Sequence, residues 1–265
     1  MKKYVRFIIA GAIVASVGLL IFLCALGAAG WNLSGVNNWE QDTFVTDESL
    51  EKVSIEIDAG KLVIKRDSID GQAVVNFDYN DNYHPQIVVD GGTLRIASGQ
   101  KQWHFTNYWY GDAPTIEVIL NDEAFPKIEL ELNAGTVEFG DGQWGNYVSV
   151  ELNAGAVTMG KVCVKQMFLD VNAGAFVAES ITSEVFHCDV SAGAVDVKKL
   201  DSFTSSLDVS AGSATLKMVD PMAAYNVSVN KSAGSCNVTN QSFPDARRFL
   251  GIDISAGSVK ITFDR

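Results

Sequence analysis

From about residue 50 onward the chain repeats one short alternation of apolar and polar positions, and each repeat turns on an Ala-Gly step. The steps end at Gly60, Gly135, Gly155, Gly174, Gly193, Gly212, Gly234 and Gly257, and the last seven glycines are 20, 19, 19, 19, 22 and 23 residues apart. Five before each glycine stand Ile55, Leu130, Val150, Leu169, Cys188, Leu207, Val229 and Ile252. The positions three before, two after and four after are apolar in nearly every repeat. Apolar residues at every second position predict half-buried strands on both sides of the glycine. The inward set falls on odd offsets before the glycine, its alanine included, and on even offsets after it. The phase therefore slips by one residue at Ala-Gly, as at a bulge or arc, and the eight glycines are the structural corners. A third inward column (Val162, Ile181, Leu200, Val219) predicts a looser third side. The pattern predicts an all-β, single-chain β-solenoid of about 19–23-residue coils. A sandwich of hairpins is the competing reading, but it would not hold so uniform a spacing.

Between Lys61 and Gly135 the repeat weakens. Residues 85–96 read as a coil centred on Gly92, with Ile87, Val89, Leu94 and Ile96 inward, and 73–79 and 115–120 read as strands. Lys231 interrupts an apolar column, which predicts a bulge turning it outward. Residues 98–113 are an aromatic segment. Trp103, Phe105, Tyr108, Trp109 and Tyr110 are binding candidates there, for sugar rings or a membrane interface, although capping an open coil end is the favoured reading.

The recurring Val-x-Leu-Asn/Ser-Ala-Gly-x-Val units, with Gly91-Gly92-Thr93-Leu94-Arg95-Ile96, resemble a bacterial family of unknown function labelled putative adhesins. The resemblance covers about residues 50–265. It implies β-strand repeats, commonly an N-terminal anchor, a link of some members to envelope-stress signalling, and no catalytic residues.

Phe7 to Ala29 is a run of 23 residues without a charge, preceded by Lys2, Lys3 and Arg6. That length spans a bilayer core, and the basic tip predicts a cytoplasmic N-terminus. The expected organisation is 1–30 as basic tip and single transmembrane helix in the cell membrane, 31–48 as tether, and 49–265 as the extracytoplasmic solenoid. Secretion after signal cleavage near Ala25-Leu26-Gly27 is the alternative. The remaining chain holds all 32 acidic residues against 17 basic ones, a net of −15 within the formal charge of −12. Such a surface repels nucleic acid, which is excluded as a partner.

The acidity is concentrated four before the glycine: Glu56, Glu131, Glu151, Asp170, Asp189, Asp208, Asn230 and Asp253. Two positions closer runs an oxygen-bearing column of Asp58, Asn133, Asn153, Asn172 and serines. One reading is a surface for a basic partner, sugar hydroxyls or weakly held Ca²⁺, with Glu131, Glu151, Asp170, Asp189 and Asp208 as metal candidates. The favoured reading is a solvated face that keeps a flat sheet unpaired. Cys163, Cys188 and Cys236 show neither zinc spacing nor a disulfide framework, and Cys188 and Cys236 are expected to be buried thiols two coils apart. The three histidines have no ligand spacing, the Ser-Ala-Gly-Ser units lack a nucleophile elbow, and no catalytic residue or resident cofactor is expected. The expected function is a non-enzymatic, membrane-anchored binding or scaffold module for a glycan or protein. An accessory role in envelope-stress sensing through membrane partners is the alternative, and a polysaccharide-active β-helix enzyme a minor one.

Overall fold

The structure, a computed structural model, describes residues 39–80, 83–98 and 114–264. The expected anchor and the five aromatic binding candidates lie outside these residues. Among the described residues no helix is long and apolar enough to cross a membrane.

Each coil, named here by its corner glycine, contributes one strand before the glycine and one after it. The strands before the glycine build a first wall. Lys52–Ile57, Lys127–Leu132, Tyr147–Leu152 and Gln166–Val171 follow one another in parallel, in register. The second halves of the long strands Ala175–Val190 and Ala194–Val209 continue it, then Arg248–Ile254 and Tyr225–Lys231. The strands after the glycine build a second wall in the same order: Lys61–Asp67, Thr136–Phe139, Ala156–Cys163, the first halves of the long strands, Ser213–Met218, Ser258–Phe263 and Ser235–Cys236. Backbone bonds carry the ladder through the corner: Asn172 N–H donates to Leu152 O at 2.9 Å, and Ala175 N–H to Gly155 O at 2.9 Å.

The four predicted columns line one core. Ile55, Leu130, Val150, Leu169, Cys188, Leu207 and Ile252 are all at most 3% exposed, and the columns after the glycine are buried in the same way except at Cys236. Val162, Ile181 and Leu200 form the third column. It ends differently from the expectation: the pairing slips, Leu200 meets Met218, and Val219 is only half-buried.

Five further expectations are corrected. The corner alanines from Ala134 to Ala256 are exposed, so the residue facing the neighbouring coil is the glycine itself. Coils do not stack in sequence order at the C-terminal end, because the Gly257 coil lies between those of Gly212 and Gly234. Cys188 and Cys236 are thus three coils apart. Residues 85–96 are an antiparallel hairpin, Gln86–Asp90 with Thr93–Ala97, because Gly91 and Gly92 form a two-residue turn with φ of 53° and 73°. Glu40–Thr46 lies within the expected tether yet is a strand, paired antiparallel with Ala73–Tyr79. Lys231 is exposed without a bulge, since Tyr225–Lys231 pairs without interruption and is the last strand of its wall.

The strands expected at 73–79 and 115–120 are present as Ala73–Tyr79 and Thr115–Asn121, and they extend the second wall beyond the Gly60 coil. Arg66 pins that end. Its Nη2 lies 2.7 Å from the carbonyl oxygens of Asn121, Asp122 and Ala124, with the guanidinium over the rings of Phe125 and Trp144. Arg248 does the same at the other end. It donates to Asp201 Oδ1 at 2.6 Å, forms an ion pair with Asp220 Oδ2 at 2.7 Å, and lies over Phe203.

Candidate binding surface

Parallel, in-register strands bring equivalent residues side by side at the strand spacing of about 4.8 Å. On the outer side of the first wall this assembles Glu56, Glu131, Glu151, Asp170, Asp189, Asp208, Asp253 and Asn230 on eight consecutive strands. Partial burial, with the neighbouring Glu151 and Glu56 carboxylates, holds the Glu131 carboxyl above its ordinary value, while an Asn133 hydrogen bond opposes the shift. Partial burial and then Asp189 raise Asp170, and His187 opposes. Like charges at this spacing disfavour ionisation of each neighbour.

The first four members of the oxygen-bearing column beside it are bonded to one another. Asn172 donates its amide to Asn153 Oδ1 at 2.9 Å, Asn153 to Asn133 Oδ1 at 2.8 Å, and Asn133 to Asp58 Oδ1 at 3.2 Å. This amide ladder ties successive corners together and engages the oxygens that a calcium ion would need. Among the described residues no group of three or more His, Cys, Asp or Glu is placed to hold a metal ion.

Sequence reasoning missed the third component of the wall. Two and four positions before the carboxylates, outward aromatics come together from separate coils. Tyr147 and Phe168 have ring centroids 5.3 Å apart, and Phe168 and His187 5.9 Å. Phe249, 44% exposed, occupies the Tyr147 column four strands on. His187 Nε2 lies 3.2 Å from Asp189 Oδ2, joining the aromatic row to the acidic one. The signal was present in the aligned columns, where Phe168 and His187 replace the serines of other coils. Inside the wall, burial raises the Cys188 thiol pKa, and Cys163, Cys188 and Cys236 are free. Cys236 is half-buried rather than buried, because its coil ends the stack.

These features define an all-β, solenoid-like protein with a continuous outward ladder on one wall. The chain belongs to the Toastrack DUF4097 family, whose model matches residues 50–264. No curated protein matches it. Among solved structures, a putative lipid binding protein from Parabacteroides distasonis has a TM-score of 0.50 at 14% identity, covering 88% of this chain and 98% of that one. A putative adhesin from Bacteroides fragilis has a TM-score of 0.46 at 12% identity, covering 84% and 97%. At 14% identity the likeness to the Parabacteroides distasonis structure is one of fold.

Proposed function

We propose that this chain is a non-enzymatic binding or scaffold module of the cell envelope. Its N-terminal apolar run anchors it in the membrane with the β domain outside, and its first wall faces a glycan or protein partner. One observation carries the reading: a carboxylate row and an aromatic row run side by side on strands whose register the core fixes. Aromatic faces stack on sugar rings or apolar side chains, and carboxylates accept from hydroxyls or pair with basic groups. Because both rows sit on a rigid wall, little ordering entropy opposes binding.

The test uses the full chain in its own envelope. A photoreactive phenylalanine derivative at Phe168 should capture a partner, and the same group at Thr215 on the second wall should not. Asp170→Lys with Asp189→Lys should abolish the Phe168 adduct. Equal adducts from both walls, or none from either, would contradict the reading. A membrane sensor as the captured species would favour the envelope-stress role.

A further inference from the structure

Thr93–Ala97 pairs in parallel with Lys52–Ile57, so the outermost described strand of the first wall at its N-terminal end is Gln86–Asp90, which among the described residues pairs with Thr93–Ala97 alone. In a hairpin closed by the two-residue Gly91-Gly92 turn, Asp90 and Thr93 are the hydrogen-bonded pair. Alternation then turns the N–H and C=O of Val88 inward to Thr93–Ala97, and those of Ile87 and Val89 outward to the open edge.

The other ends of the two walls are protected. Tyr225–Lys231 is covered by the chain around residues 240–243: Val227 and Gln241 exchange backbone bonds of 2.9 Å, and Phe243 N–H donates to Asn226 Oδ1 at 3.0 Å. Glu40–Thr46 carries two carboxylates, Glu40 and Asp42, in its first three residues. Ser235–Cys236 is only two residues long. Among the described residues, nothing gives Gln86–Asp90 a comparable protection. Its centre is Ile87-Val88-Val89, and Val88 is 50% exposed. An extended, open edge with an uncharged centre is a template for strand pairing.

We propose that this edge pairs with the same edge of a second copy of the chain, antiparallel about a two-fold axis at Val88. The sequence is complementary to itself in that register alone over its full length. Val88 faces Val88 of the second copy, Ile87 faces Val89, and Gln86 faces Asp90, so no like charges oppose. Ile87 and Val89 are the residues with outward backbone groups, and the register places them opposite each other as hydrogen-bonding pairs. The two first walls then join into one sheet that carries the carboxylate and aromatic rows of both copies. The proposal goes beyond the binding reading and stands whether or not that wall has a partner.

Val88→Cys in the full chain tests it, because cross-strand residues of a non-hydrogen-bonded pair lie close enough to be linked. Mild oxidation of this variant in membranes should give a disulfide joining two copies through the introduced thiols, identified by non-reducing peptide mapping. It should form far faster than for Val45→Cys, an equally exposed valine on the other edge. Val88→Lys should leave melting unchanged and weaken self-association in detergent about tenfold or more. A monomer at every concentration, equal cross-linking of the two cysteine variants, or unchanged association of Val88→Lys would each overturn the proposal.

Discussion

Asp208 and Asp253 face each other across a parallel strand pair, and on its far side Asp253 faces Asn230. The coil that ends the chain is thus enclosed between two coils that precede it. Ending the chain before Arg248 removes Leu250, Ile252, Ile254, Val259 and Ile261 from the core, each at most 3% exposed. At roughly 1.5–3 kcal/mol per buried aliphatic side chain the loss is on the order of 10 kcal/mol, comparable with the stability of a whole domain. Such a truncation should lose cooperative melting, and amides of Tyr225–Lys231 should lose exchange protection. Retention of both would place the last coil outside the stack.

Two kinds of corner glycine respond differently to a side chain. Gly155 has φ of 104°, and an added Cβ would run into Gly135 O. At Gly174 no positive φ is involved; the Cβ would meet Leu152 Cγ at 2.6 Å and Gly155 O at 2.8 Å. Gly155→Ala should therefore cost more than Gly174→Ala, with about 2–4 kcal/mol expected at Gly155. Leu152→Ala should partly rescue Gly174→Ala and not Gly155→Ala. Denaturant melts of the two double mutants decide it, and equal coupling would mean the corners obstruct by one mechanism.

The core columns are legible in the sequence because every coil buries the same offsets, so Ile55 and Ile252 announce their positions alike. That sameness also hides the order of the coils. Ile252 and Ile254 fit beside Leu207 and Val209, and nothing local says that Val229 does not take that place. The one local mark is Lys231, whose charge at an inward offset is tolerated only where the stack ends. Alternation cannot distinguish parallel from antiparallel strands, which is why Ile87, Val89, Leu94 and Ile96 resembled a coil. The Gly91-Gly92 turn is the feature that separates the two. The carboxylate ladder follows from the register, but its aromatic neighbours arise from Tyr147, Phe168 and His187 in three different coils. They become a row only once the outward columns are aligned as carefully as the inward ones.

Calcium should act on this wall as a counter-ion. The carboxylates form a line rather than a cage, and the Asn133, Asn153 and Asn172 side chains are bonded to one another. Ca²⁺ and NaCl at matched ionic strength should change the melting temperature alike. Changing Asp170, Asp189 and Asp208 to Asn should stabilise the protein by about 0.5 kcal/mol per relieved contact. A calcium-specific rise in melting temperature that disappears in that variant would instead establish a bound ion.

The in-register carboxylate wall is tested most directly by titrating the side-chain carboxyls of Glu131 and Asp170 by NMR. Both pKa values are raised in the folded protein, for Glu131 by partial burial and then Glu151, for Asp170 by partial burial and then Asp189. A raised folded pKa means stability that is fully present below the unfolded value and is lost as pH rises through the folded one. The pair should therefore stabilise the fold on acidification through the carboxylate range. Glu117, lowered by Lys65 and then Asn76, acts in the opposite sense, losing its contribution as pH falls through its folded value. The predicted result is that Glu131 and Asp170 both titrate above ordinary carboxyls, and that Asp189→Asn moves Asp170 down while leaving Glu131 in place. Ordinary values for both, with Asp170 indifferent to Asp189→Asn, would contradict an in-register wall.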